Sequence, residues 1–113
     1  MELKVRKSKH IYIIDIEGEM DLYNAYKLKE LVGKMLDKNI AHFVVNMEKV
    51  EYIDSSGIGA LIYVSSALKK KNAKLVITGV HGSVKKVIEL TKLTGYFPLE
   101  ETLKQGILKL MKG

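Results

Sequence analysis

Phe43-Val44-Val45-Asn46-Met47, followed after a charged turn by Ile53-Asp54-Ser55-Ser56-Gly57-Ile58-Gly59, decides how this chain is built. The opening run is short and mostly apolar, as in strands covered on both faces. Beyond Gly57, the residues Ile58, Leu61, Ile62, Ser65 and Leu68 recur at helical spacing, and Ala60, Val64 and Ala67 widen the stripe. A strand that hands over to an amphipathic helix is the repeating unit of an α/β sheet.

The same alternation extends in both directions. Downstream, Lys74 to Gly79 reads as a strand, and Val84, Val87, Ile88 and Leu90 mark a short helix. Tyr96 to Leu99 reads as extended, because Pro98, the only proline, disfavours helix for the residue before it. Thr102 to Met111 closes the chain as a helix with Leu103, Ile107, Leu108 and Met111 apolar. Upstream, Leu3 to Arg6 and His10 to Glu17 read as strands joined around Lys7 to Lys9. Asp21 reads as the N-cap of a helix from Leu22 to Asp37, with Ala25, Leu28, Leu31, Val32, Met35 and Leu36 on its apolar face. The expected fold is a single α/β domain over residues 1–113. It has a mixed, mostly parallel sheet of four to five strands, an antiparallel N-terminal edge, and about four packing helices. Sites in such sheets gather where strands hand over to helices. Those places are Gly18 to Leu22, Asn46 to Gly59 and Thr78 to Ser83.

Composition narrows the function. With 113 residues the chain builds one domain, burying roughly two thirds of its unfolded surface. Hydrophobic residues make up 47% and charged residues 28%, as in ordinary globular proteins. The longest apolar stretch, Ile58 to Val64, is too short to span a bilayer, and Met1-Glu2-Leu3-Lys4 starts no secretory signal. The absence of cysteine excludes thiolate chemistry and fits an intracellular, cytoplasmic chain. The net charge is +6, but the lysines are scattered and Arg6 is the only arginine. The densest run, Lys69-Lys70-Lys71, falls where a helix should end and its dipole favours cations. Neither a nucleic-acid partner nor a membrane is expected.

The candidate chemistry is the hydroxyl pair Ser55-Ser56. Free N–H groups at a helix start favour an anion, and Gly57 and Gly59 leave room for a partner or a phosphate. One serine is expected to cap the helix; the second hydroxyl is then surplus. A nucleophile elbow needs glycine at position 53 or 54, where Ile53 and Asp54 stand. No phosphate-cradling loop, no third glycine of a dinucleotide fingerprint and no metal-ligand spacing is present in the sequence. Tyr12, Tyr23, Tyr26, Tyr52 and Tyr63 are not interleaved with basic residues as in an RNA-binding sheet, so core or boundary packing is expected of them. No cofactor is expected.

At this point the serine segment resembles the signature of STAS domains, in particular of bacterial anti-sigma factor antagonists. Gly18-Glu19-Met20-Asp21, with Ala25 and Leu28, resembles the family's second motif. Val44-Val45-Asn46-Met47 matches the strand before the serine loop, where many members carry aspartate in place of Asn46. Val84 to Leu93 resembles the third helix, and Phe97 and Thr102 fit the closing segment. The resemblance implies a switch protein and not an enzyme. Its partners would be an anti-sigma factor with serine-kinase activity and a PP2C-type phosphatase, and the domain would act as a monomer. The acceptor maps to Ser56, with Ser55 as second choice. The partner-binding residues would be Met20, Asp21, Leu22, Asp54, Ser55, Gly57, Ile58 and Gly59, with Met20 and Ile58 as the apolar patch that a phosphate spoils. Two other readings remain open: a ligand-sensing STAS domain that binds a small anion or nucleotide at the same loop, and a small serine hydrolase.

Overall fold

A computed structural model describes residues 1–112. β1 (Glu2–Ser8) and β2 (Ile11–Met20) form the antiparallel hairpin, followed by α1 (Tyr26–Asp37), β3 (His42–Ile53), α2 (Ser55–Lys70), β4 (Lys74–Thr78), α3 (Gly82–Leu90), β5 (Leu99–Glu100) and α4 (Leu103–Lys112). The strands lie in sequence order, and every pairing after the hairpin is parallel. The expected mixed sheet with an antiparallel N-terminal edge is the sheet observed.

β2 serves both faces of the sheet. Ile14, Ile16 and Met20 join Phe43, Val45, Met47 and Ile77 beneath α1, α2 and α3. Ile11 and Ile13 turn the other way and meet Val44, Val76 and Leu110 of α4. The closeness of α4 is set by Gly106, where an added Cβ would lie 2.6 Å from Thr78 Cγ2. Thr102 and Gln105 start α4 with a reciprocal capping pair: Gln105 N donates to Thr102 Oγ1 and Thr102 N to Gln105 Oε1, both at 3.1 Å.

Four boundaries differ from expectation. β2 runs past Glu17, through Gly18, to Met20. β3 continues through the expected charged turn to Ile53. It pairs with β4 only as far as Asn46, while β2 follows it to Ile53. With no β4 alongside, Glu48, Lys49, Glu51 and Tyr52 face water and the charges are tolerated. α1 begins at Tyr26 and not at Leu22, after a turn that spans the intervening residues. Tyr96 and Phe97 lie in a turn and a bend, so the extended segment shrinks to β5.

Candidate functional site

The C-terminal ends of β2 and β3 lie side by side, with Met20 opposite Ile53. The two following loops therefore begin as neighbours. Asp54 N donates to Met20 O at 3.1 Å, fixing the start of α2 against the end of β2.

Asp54, and neither serine, caps α2. Its Oδ1 accepts from Ser56 N at 2.9 Å and Gly57 N at 3.1 Å. Its other oxygen, Oδ2, accepts from Leu22 N at 3.1 Å across the gap between the loops. The expectation of a capping serine is corrected: carboxylate and hydroxyl rank alike as caps, and Asp54 stands in the extended backbone position from which a side chain reaches those amides. Both hydroxyls are consequently surplus. Ser55 is exposed and Ser56 half-buried. Neither hydroxyl enters a hydrogen bond among the described residues, where the one buried side-chain oxygen without a partner is Ser65 Oγ. The Ser56 hydroxyl therefore touches solvent.

Asp21 does not cap α1, whose first turn has no side-chain cap. It organises its own turn: Asp21 Oδ1 accepts from Tyr23 N and Asn24 Oδ1 accepts from Asp21 N, both at 2.9 Å, while Asn24 Nδ2 donates to Glu19 O at 2.9 Å.

Three of the residues expected at the docking surface, Met20, Gly57 and Ile58, are buried. Met20 is fully buried, and Ile58 is 7% exposed, so the patch expected from this pair is absent. Gly57 is buried because a Cβ there would come within 2.5 Å of Ile53 Cγ1 and 2.7 Å of Met20 O; close packing, not access, requires glycine. Gly59 is the open one, exposed and with nothing within 4 Å of an added Cβ.

The apolar exposure lies one turn away. Leu22 is 67% and Tyr23 83% exposed on the hydrogen-bonded loop, with Tyr26 following at 51%. Tyr52 and Tyr63 are also exposed, so of the five tyrosines Tyr12 alone packs at the boundary of the core. The expected core or boundary packing of Tyr23 is corrected to surface exposure; its neighbour Asp21 and the turn-forming Asn24 are the signal in the sequence.

The histidines are engaged elsewhere. His10 and His42 pack edge to face, with centroids 4.5 Å apart, where β2 and β3 begin, the end of the sheet away from Ser56. His81 Nε2 lies 2.8 Å from Glu48 O. Among the described residues no group of three or more His, Asp or Glu is placed to hold a metal ion.

Asn46 joins a polar chain across the sheet. Its Nδ2 donates to Asp15 Oδ1 at 2.8 Å, and Arg6 donates to the same carboxylate through Nε at 2.6 Å and a second nitrogen at 3.1 Å. An aspartate at 46 would face Asp15 with a second carboxylate. Burial pushes the Asp15 carboxyl up, but the hydrogen bonds from Arg6 and Asn46 and the charges of Arg6 and Lys49 hold it below the usual range.

The site is thus a free hydroxyl pair at a helix start beside an exposed apolar loop, carried on an open α/β sheet. The sequence profile of the STAS domain matches residues 2–106, and the chain belongs to that family. It is 27% identical over 101 residues to the anti-sigma-B factor antagonist of Staphylococcus aureus, covering 89% of this chain and 94% of that protein. Its fold matches an anti-sigma factor antagonist from Mycobacterium paratuberculosis with a TM-score of 0.86 at 22% identity, over 96% and 92% of the two chains. It also matches the Bacillus cell fate determinant SpoIIAA, solved in the phosphorylated form, with a TM-score of 0.75 at 15% identity over 96% and 99%. No helix of the described residues is long and apolar enough to cross a membrane.

Proposed function

We propose that this chain is an anti-sigma factor antagonist: an interaction module, not an enzyme, switched by phosphorylation of Ser56. Unmodified, it binds an anti-sigma factor that is also a serine kinase. That kinase transfers the γ-phosphoryl group of ATP to Ser56 Oγ, which gives up its proton as ADP leaves, and a PP2C-type phosphatase hydrolyses the ester to reset the switch. Ser55 is the second choice of acceptor. The relatives' names and the family support this reading, and one observation carries it: Asp54 takes over the capping of α2, which leaves the Ser56 hydroxyl unbonded and in contact with solvent.

The phosphate adds about −1.5 to −2 charges at a helix N-terminus, where the dipole tolerates them, so the fold survives. A partner docked on Leu22, Tyr23, Ser55 and Gly59 fares worse. Burying an unpaired charge costs several kcal/mol, and each ~1.4 kcal/mol is a tenfold loss of affinity. Asp54 and Asp21 add like-charge repulsion. The anion-sensing alternative is less well supported, because the Ser56 and Gly57 amides an anion would use already bind Asp54. The domain acts in the cytoplasm as a monomer.

Incubation with the cognate anti-sigma factor kinase and ATP, followed by mass spectrometry, tests the assignment. A single phosphate on Ser56 is expected; a phosphate elsewhere, with Ser56 bare, defeats it.

A further inference from the structure

One carboxylate holds two loops. Asp54 Oδ1 binds the first amides of α2, beside Ser56, and Oδ2 binds Leu22 N at 3.1 Å. Leu22 is followed by Tyr23, 83% exposed. We infer that Asp54 is a positioning residue that couples the Ser56 hydroxyl to the Leu22–Tyr23 loop, so that a phosphate on Ser56 releases the Leu22 amide and unseats the apolar pair a partner grips. The inference rests on the reading of Ser56 as the phosphate acceptor.

A dianion on Ser56 is held covalently at the N-terminus of α2, so unlike a free anion it can compete for the amides Asp54 now holds. It also repels the Asp54 carboxylate. The side chain is free to respond, because other contacts hold the backbone: Asp54 N remains on Met20 O, and Gly57 remains packed against Ile53 and Met20. The loop's own frame does not depend on Asp54, since Asp21 and Asn24 hold Tyr23 N, Asp21 N and Glu19 O. Only the tether between the loops is lost. Leu22 and Tyr23 then sample more orientations, and a partner with an apolar pocket for them must order the loop as it binds. The partner surface is thus weakened twice, by charge at Ser56 and by loosening of the neighbouring loop.

Amide hydrogen exchange read by NMR tests this on the chain alone, with phosphoserine installed at position 56 during translation. The Leu22 amide should exchange about tenfold faster or more, as expected for loss of a hydrogen bond to a charged group. Tyr23 N, held by Asp21, should keep its rate. A negative charge nearby by itself slows base-catalysed exchange, so acceleration has the opposite sign to the bare field of the phosphate. Asp54→Asn, which still caps α2 with its carbonyl oxygen, should give the fast Leu22 rate without phosphate and no further change with it. An unchanged or slower Leu22 amide in the phosphoserine protein overturns the coupling, as does an Asp54→Asn protein that exchanges like the unmodified chain. If Asp54→Asn fails to fold, the phosphoserine protein decides alone. Because no kinase is involved, a negative result here leaves the assignment of Ser56 to the mass-spectrometric test.

Discussion

Asp21 and Asp54 stand at equivalent places, each directly after a strand and ahead of a helix. They do different work. Asp54 caps its helix and reaches across to the neighbouring loop. Asp21 binds Tyr23 N within its own turn, and α1 starts later with no side-chain cap. The difference comes from where unbonded amides lie within reach: α2 follows Asp54 immediately, whereas a turn separates Asp21 from α1. A carboxylate of the same type thus becomes a tether between elements in one loop and a local brace in the other.

Substitutions can break this contrast. The largest effect is expected beneath the Asp54 loop. Gly57→Ala places a Cβ against Ile53 and Met20 O, part of which is backbone that cannot step aside. A loss of about 2–3 kcal/mol in urea unfolding is expected from such overpacking; an unchanged midpoint would mean that the two loops are not closely packed. Next, Asp54→Ala should cost about 1–2 kcal/mol as a lost N-cap, and Asp21→Ala less than about 1 kcal/mol as a lost exposed turn bond. Equal costs would erase the distinction between tether and brace.

The smallest effect concerns a third aspartate, Asp15. Its carboxyl is held below the usual range: burial opposes this, but the hydrogen bonds from Arg6 and Asn46 prevail. A carboxyl with a lowered folded pKa adds stability that is fully present above its unfolded value of about 4 and is lost as pH falls through the folded value. Asp15→Asn should therefore flatten the loss of thermal stability below about pH 4 relative to the unmodified chain. A curve of equal steepness would remove Asp15 from the acid response.

The alternation of apolar runs and amphipathic stretches made the mixed, mostly parallel sheet, its hairpin edge and the four helices legible in the sequence; the order of the strands was not. The end of β3 was not legible. Glu48, Lys49 and Glu51 look like a turn until β4 is seen to stop at Thr78, leaving that part of β3 with one neighbour. The serine motif located the site, but Asp54, Ser55 and Ser56 are all good caps, and backbone geometry alone chose among them. Gly57 looked like an opening because its crowding comes from Met20, which is distant in sequence. For the same reason the sequence put Met20 at the surface and Tyr23 in the core or at its boundary: exposure is settled by which elements pack above a residue, not by its own neighbours.

A charge at position 56 should abolish docking while the scaffold persists. Calorimetric titration of the anti-sigma factor into the unmodified chain and into Ser56→Asp, with a thermal melt of each, tests it most directly. Affinity should fall by about a hundredfold or more, the equivalent of roughly 3 kcal/mol, while the melting temperature stays within about 3 °C. Equal affinity for the two proteins, or a Ser56→Asp chain that no longer folds, would mean that position 56 is not a phosphate-controlled switch.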